Sequence, residues 1–331
     1  MRIAYCVAFV AAAAISLQLL VYQFRLHSSH LRIRSTTIDN SIVASKSTPT
    51  KAKLKATVTR VERRFRERKQ WAESACKQFQ SDRQLRRQFP SNPRDTYSRL
   101  YVDDKHKLIY CAVQKAGCSS WKSLVLVLTG KYPNLESIKP EGIHVYRQYN
   151  YLQNSASAEE IQEKLRTYTK VMVHREPLDR FMSAYTNKFV RGDPGFLWTI
   201  GRKILRERGG LSEEQIMTGR GVRFDEFASY VAKYAAPSSV NRHWRPASVL
   251  CEPCLIRYDF YASTGTLDED TDFILNAIGA PKGLRVPHKN PSSDKPDLTE
   301  SLRSVSAEVR GQLLDLYKLD YLLFNYSMPT F

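Results

Sequence analysis

Acidic residues are the scarce charge in this chain: 33 Asp and Glu stand against 51 Lys and Arg, a formal +18 over 331 residues. Such a field favours a polyanionic partner or substrate, and nucleic acid, anionic glycan and anionic lipid all qualify. Glycine and proline are few, at 14 and 15, which excludes a collagen-like or low-complexity chain. Only one long apolar run is present, so a polytopic membrane protein is excluded as well. There is no internal repeat. What remains is 42% apolar and 25% charged, an ordinary globular balance. The length suits one large domain with appendages, or two small ones.

Cysteine is also sparse. With Cys6 in the apolar N-terminal run, Cys76, Cys111, Cys118, Cys251 and Cys254 remain; five is odd, so at least one has no partner within the chain. Cys251-Glu-Pro-Cys254 reads as a local disulfide, half a zinc site or two packed thiols. No second ligand pair stands at zinc spacing, and no metal is expected. The one glycosylation sequon is Asn325-Tyr-Ser327, because Pro291 blocks Asn290.

The apolar run covers Ile3 to Tyr22 without a charge, long enough at about 1.5 Å per residue to cross a hydrocarbon core of about 30 Å. It continues into bulky Leu19, Leu20, Val21, Tyr22 and Phe24, where a cleavable signal would end in small residues. Residues 1–24 are therefore expected to be a signal-anchor transmembrane helix with a short tip. Residues 25–75 carry thirteen Lys/Arg against four Asp/Glu, the pattern of a solvated tether. Lys55 to Phe79 places Val58, Val61, Phe65, Trp71 and Ala75 at amphipathic-helix spacing. Residues 25–95 thus read as a basic stem with a helical end, and 96–331 as the folded domain.

From Tyr97 onward short apolar runs alternate with helical ones, the signature of an α/β layer fold around a central parallel sheet. In one unit Lys107–Val113 is a strand, Gln114–Ser119 a loop, and Ser120–Leu128 a helix closed by Gly130. In another Tyr168–His174 is a strand, Arg175-Glu-Pro177 a turn, and Leu178–Phe189 a helix. Both loops fall at carboxyl ends of strands, the edge where ligands bind in open α/β sheets.

Gln114-Lys115-Ala116-Gly117-Cys118-Ser119-Ser120-Trp121 has the parts of a phosphate cradle. Small residues let the backbone approach an anion, the helix start offers free N–H groups, and Lys115 supplies a charge. It is not a Walker A loop, in which the Lys directly precedes the helix. Arg175 at the strand end and Ser183 two turns into the next helix can converge on a second phosphate, the guanidinium through its fork. Two anion sites at one edge suit a nucleotide with phosphates at both ends.

These two segments, with Asn241-Arg-His-Trp244, Leu250-Cys-Glu-Pro-Cys-Leu-Ile-Arg-Tyr-Asp259, Thr266-Leu-Asp-Glu-Asp270 and Tyr317-Lys-Leu-Asp-Tyr-Leu-Leu-Phe-Asn-Tyr-Ser327, stand in an order that resembles the Golgi carbohydrate sulfotransferases. The group in view is that of the HNK-1 and chondroitin 4-O-sulfotransferases, and the resemblance runs from about Lys107 to Pro329. It departs at Gln114, where the family often has Pro, and in the segment 190–223, which looks shorter. The resemblance implies a P-loop-like three-layer sulfotransferase fold and 3′-phosphoadenosine 5′-phosphosulfate (PAPS) as donor. Lys115 to Trp121, Arg175 and Ser183 would hold that donor, with Lys115 also catalytic. It further implies a type II Golgi membrane protein, its catalytic domain lumenal, and an anionic glycosaminoglycan acceptor sulfated at a hydroxyl such as the 4-OH of GalNAc in chondroitin.

A histidine near pKa 6.5 suits the base that takes the acceptor proton. His144 leads and His243 follows, while His106, His174 and His288 read as structural or surface residues. Lys188, Arg191, Arg242, His243, Arg245 and Arg257 are candidates for the acceptor groove. Two alternatives stand beside chondroitin: the same donor with dermatan, terminal GalNAc or a glucuronyl acceptor, and a non-catalytic anchored polyanion binder. The apolar N-terminus disfavours a nucleic-acid partner.

Overall fold

The computed structural model describes residues 51–234, 236–287 and 296–330, with side chains from residue 57 onward. The expected anchor, the first half of the stem and His288 lie outside the described residues. Among the described residues no helix is long and apolar enough to cross a membrane.

The first helix, α1 (Lys51–Ser81), agrees with the amphipathic spacing but is not the end of a free stem. Its apolar face buries Val61, Phe65, Ala72 and Ala75 in the main core. One turn apart on this helix, Arg64 and Arg68 each reach the fully buried carboxylate of Asp270 at 2.6 Å. A disulfide between Cys76 and Cys254 fixes the same helix. Leu85 and Phe89 continue the burial, so residues 57–95 belong to the folded unit. The sequence misses this because basic side chains read as solvent-facing, whereas here they pair with a buried acid 200 residues away.

The sheet has five strands in the order β3-β1-β2-β4-β5: β1 (Leu100–Asp103), β2 (Leu108–Cys111), β3 (Asn150–Tyr151), β4 (Thr169–His174) and β5 (Phe260–Ser263). β2, β4 and β5 are parallel, while β1 runs antiparallel to both β2 and β3. The expected parallel sheet is therefore a parallel core of three with an antiparallel extension. β1 and β2 are buried along their whole length, as continuous apolar strands covered on both faces should be.

Helix α2 (Cys118–Leu128) follows β2 and buries Trp121, which stacks on Tyr110 with ring centroids 5.1 Å apart. Helix α3 (Pro177–Tyr185) follows β4 and opens on Pro177, as helices tolerate. It packs with α4 (Phe224–Lys233) and α5 (Ala307–Phe324) around Phe181, Phe227, Trp244 and Tyr317. Buried Asp320 of α5 accepts the amides of Ala247 and Ser248 at 2.7 and 2.8 Å. It thereby caps the short helix Ala247–Cys251, whose own N-cap, Pro246, offers no side-chain acceptor.

Neither bridge of the Cys251-Glu-Pro-Cys254 segment is local, so the reading as a local disulfide, half a zinc site or two thiols is corrected. Cys251 pairs with Cys111 and Cys254 with Cys76. Among the described residues Cys118 is the free thiol, and it is buried.

Candidate functional site

The loop after β2 turns on two left-handed residues, Lys115 at φ 67° and Gly117 at φ 71°. Gly117 is the N-cap of α2 and supplies no side-chain cap. A Cβ there would meet Leu267 Cδ2 at 3.2 Å. The first-turn amides of α2 are accordingly left to an external acceptor at the positive end of the helix. Ala116 is buried and its amide donates to Val113 within the turn. Ser119 is partly exposed. Ser120 Oγ donates to the Pro287 carbonyl at 2.6 Å, and Trp121 is fully buried on Tyr110, so both support the loop from behind. Burial pushes the Cys118 thiol up and keeps it neutral.

Arg175 leaves β4 one strand away. Its Nη1 donates to the Lys115 carbonyl at 3.4 Å, and its Nη2 lies 3.7 Å from Asp179. Ser183 is partly buried two turns further along the same helix. The expected continuous helix to Phe189 instead widens into a π turn at Thr186–Val190, a feature frequent at functional sites. That turn carries Lys188, whose Nζ meets Asp193 at 2.8 Å and lies 4.4 Å from the centre of the Phe196 ring.

Electrostatics tie these groups together. Lys115 is pushed down to about 8, first by burial and then by the charges of Lys188, Arg175 and Arg191. His243 is pushed down to about 3 by burial and by Lys188, Arg242 and Lys115, against a smaller pull from Asp193. Its Nδ1 faces Asn241 Oδ1 at 2.9 Å. Because that oxygen accepts, Nδ1 carries the proton and Nε2 keeps its lone pair. Burial leads in both groups, and the surrounding positive charges push them the same way.

His144, first among the expected bases, is exposed at the end of the 3₁₀ turn Pro140–His144. Arg242 is exposed beside the Tyr146 ring. Arg245 is committed elsewhere, paired with Asp95 at 2.9 Å and donating to the Val240 carbonyl. Arg257 precedes β5 and so lies at the amino edge of the sheet, opposite the loops of Lys115 and Arg175. A basic residue near a motif carries no information about which edge it occupies, so Arg257 reads in the sequence like a residue of the groove.

Arg180 is the residue that sequence reasoning passes over. It is fully buried, and its guanidinium donates to the carbonyls of Gln114 (3.3 Å), His243 (3.4 Å) and Arg245 (2.5 Å). It thereby joins the loop after β2 to the His243 segment, which the Cys111–Cys251 bridge also ties to β2. Its signal was a charge set among Leu178, Phe181 and Met182 on the apolar face of α3. His106 pairs with Asp103, and His174 is buried between Tyr326 and Phe324, so neither faces the site. Among the described residues there is no group of three or more His, Cys, Asp or Glu that could hold a metal ion.

A parallel βαβ layer with a cationic small-residue loop and a strand-end arginine at one edge defines the class: an α/β protein with basic groups gathered at the carboxyl ends of its parallel strands. The chain belongs to the sulfotransferase family, whose profile matches residues 98–327. It is 37% identical over 241 residues to carbohydrate sulfotransferase 9 of Homo sapiens, covering 71% of this chain and 54% of that one. Carbohydrate sulfotransferase 11 of Rattus norvegicus is 38% identical over 240 residues, covering 70% and 68%. Carbohydrate sulfotransferase 14 of Homo sapiens is 33% identical over 249 residues, covering 73% and 64%. The chain thus spans between half and about two thirds of the length of these curated relatives. No solved structure matches it at a significant level.

Proposed function

We propose that this protein transfers a sulfuryl group from 3′-phosphoadenosine 5′-phosphosulfate to a sugar hydroxyl of an anionic glycosaminoglycan, the 4-OH of GalNAc in chondroitin. The observation that carries the reading is the cluster of Lys115, Arg175, Lys188 and Arg191 at the carboxyl edge of adjacent strands, with depressed Lys115 awaiting anions. The uncapped start of α2 and the left-handed loop fit a phosphosulfate. Arg175 and Ser183 would hold the second phosphate. When bound, the donor supplies the sulfur electrophile and a phosphate leaving group.

In that scheme the acceptor oxygen forms a bond to sulfur as the bond from sulfur to the bridging phosphate oxygen breaks. Lys115 and the amides of Cys118 and Ser119 stabilise the charge that gathers on the bridging oxygen. His243 Nε2, neutral and within the cation cluster, takes the hydroxyl proton, in place of the exposed His144 that the sequence favours. Lys188, Arg191 and Arg242 attract the acceptor's carboxylates.

The test is to incubate the protein with labelled donor and a panel of desulfated glycans, then analyse the product disaccharides. Label at C4 of GalNAc supports the reading; no transfer to any glycan defeats it. We further propose that residues 1–24 anchor the chain with this domain in the Golgi lumen, a compartment suited to its two disulfides. Protease digestion of the domain in intact microsomes, without detergent, would contradict that placement.

A further inference from the structure

The phosphate loop has two flanks. Arg175 and Ser183 occupy the β4 side, and on the β1 side lies a separate cleft of about 220 Å³ that includes Gln114, Lys122, Tyr101, Tyr146 and Arg242 in its lining. It sits at the same sheet edge, because β1 runs antiparallel to β2 and pairs Leu100 with Cys111. The volume is below the roughly 300 Å³ at which pockets for drug-sized ligands begin, and suits one sugar unit of a longer chain.

Lys122 decides what that unit carries. It is 4% exposed, and no hydrogen bond or carboxylate meets its ammonium among the described residues. It has only aromatic faces, with the rings of Tyr101, Tyr146 and Tyr149 centred 5.1, 5.7 and 5.8 Å away. Burial holds Tyr101 and Tyr149 neutral, so neither supplies a counter-charge. Arg242 lies 5.5 Å from the far ring of the same group, Tyr146. The third cation, Arg99, is already paired with Asp95. No Asp or Glu lines the cleft, and buried Gln114 Oε1 has no partner. Ring faces stabilise a cation by about 0.5–2 kcal/mol, well short of replacing the ion partner that buried charges ordinarily have.

We propose that this cleft is the acceptor subsite for a hexuronate carboxylate, which Lys122 and Arg242 clasp while Tyr146 packs on the sugar ring. The proposal rests on the glycan-transfer reading above, and it accounts for the one lysine among the described buried ones, Lys122, Lys170 and Lys188, that has no carboxylate partner. Lys115 and Arg242 both act electrostatically on Cys118 and His243, so a sugar seated here adjoins the reacting edge.

The experiment compares a desulfated chondroitin hexasaccharide with its carboxyl-reduced counterpart, binding each calorimetrically to the detergent-solubilised full chain saturated with adenosine 3′,5′-bisphosphate. The wild-type protein should prefer the carboxylated sugar by about tenfold or more, as a charge-assisted hydrogen bond implies. Lys122→Met and Arg242→Gln should each erase most of that preference and leave affinity for the reduced sugar nearly unchanged. If Lys122→Met does not fold, exposed Arg242→Gln and Tyr146→Ala carry the test. The proposal is overturned if wild type does not distinguish the two sugars, or if the folded variants keep the distinction. Binding is read without transfer, so a chain that prefers the carboxylated sugar but moves no sulfuryl group would sink the transfer reading alone.

Discussion

The Arg175 guanidinium donates to the main-chain carbonyl of Lys115 at 3.4 Å, so the strand-end arginine of one βαβ unit steadies the loop of its neighbour. That contact and the 3.7 Å approach of Nη2 to Asp179 are both long, so a ligand phosphate can take over the guanidinium fork. Arg175→Ala should therefore raise the donor's KM by about tenfold or more, the worth of a charge-assisted hydrogen bond, with a smaller fall in turnover. Arg175→Lys should not restore it, because a point charge lacks the planar fork. Initial rates at varied donor and saturating acceptor check both.

Lys115 gives a pH signature. Its pKa of about 8 in the free protein means that it is charged below pH 8 and loses its proton above it. A bound polyanion favours the charged form, so donor binding above pH 8 takes up a proton. Apparent donor affinity should fall by up to tenfold per pH unit there and be flat below. Lys115→Arg, which stays charged, should remove the slope, and Lys115→Ala should lower turnover by about a hundredfold or more. Calorimetric titration with adenosine 3′,5′-bisphosphate from pH 6 to 10 reads the first effect. A wild-type slope that persists in Lys115→Arg would assign it to another group.

The depressed Lys115 also bears on stability. A lysine whose folded pKa lies below its unfolded value near 10.5 destabilises the fold progressively as pH drops from 10.5 to about 8, and by a constant amount below. At neutral pH the site is thus a local cost that an anion relieves. Adenosine 3′,5′-bisphosphate should raise Tm, and more at pH 7 than at pH 10. Equal shifts at both values would place the ligand away from Lys115.

Cys111–Cys251 and Cys76–Cys254 close loops of 140 and 178 residues in sequence separation. Loss of a native bridge typically costs about 2–5 kcal/mol, and denaturant unfolding of Cys254→Ser and Cys251→Ser should show losses in that range. The two variants should differ in activity. Cys251→Ser frees the His243 segment from β2 and should lower turnover, whereas Cys254→Ser loosens α1, which is held to Asp270 and Tyr261 rather than to the Lys115 loop, and should chiefly lower stability. Equal loss of turnover in the two would mean that the Cys111 bridge does not position the site.

Much of this was legible in the sequence because it is local. The strand, small-residue loop and helix around Lys115, and the Arg175 turn with Pro177 at the helix start, follow from neighbouring residues alone. What escaped depends on partners far along the chain. Arg64 and Arg68 read as tether charges because Asp270 lies some 200 residues on. Arg180 looks like any helix arginine until the carbonyls of residues 114, 243 and 245 surround it. Arg257 and Arg242 have the same local character, and only strand direction separates the edge that binds from the edge that does not. Lys122, two positions beyond Ser120, gave no sign that α2 would turn it into a ring of tyrosines.

The choice of base is the sharpest remaining test, because two histidines differ in environment rather than in motif. His243 is held near pKa 3 by burial and by three cations, so across the neutral range its Nε2 keeps a lone pair. A base that weak would be a poor proton acceptor if the cations stayed unbalanced. Donor binding places negative charge beside Lys115 and Lys188, cancels part of their effect and must raise the His243 pKa toward the range in which general bases work. The base is thus switched on by the substrate whose transfer it assists. His243→Ala should lower turnover by about 10²–10⁴-fold, the usual worth of a positioned base, with little change in donor affinity. Its ring protons in NMR should titrate near pH 3 in the free protein and distinctly higher with adenosine 3′,5′-bisphosphate bound. Stability carries the matching sign: with the folded pKa depressed below 6.5, the neutral ring favours folding above pH 6.5, and that contribution is lost as pH falls toward 3. If turnover collapses in His144→Ala while His243→Ala retains it, and the His243 pKa ignores the bound bisphosphate, then the exposed histidine is the base and the buried one a packed partner of Phe196.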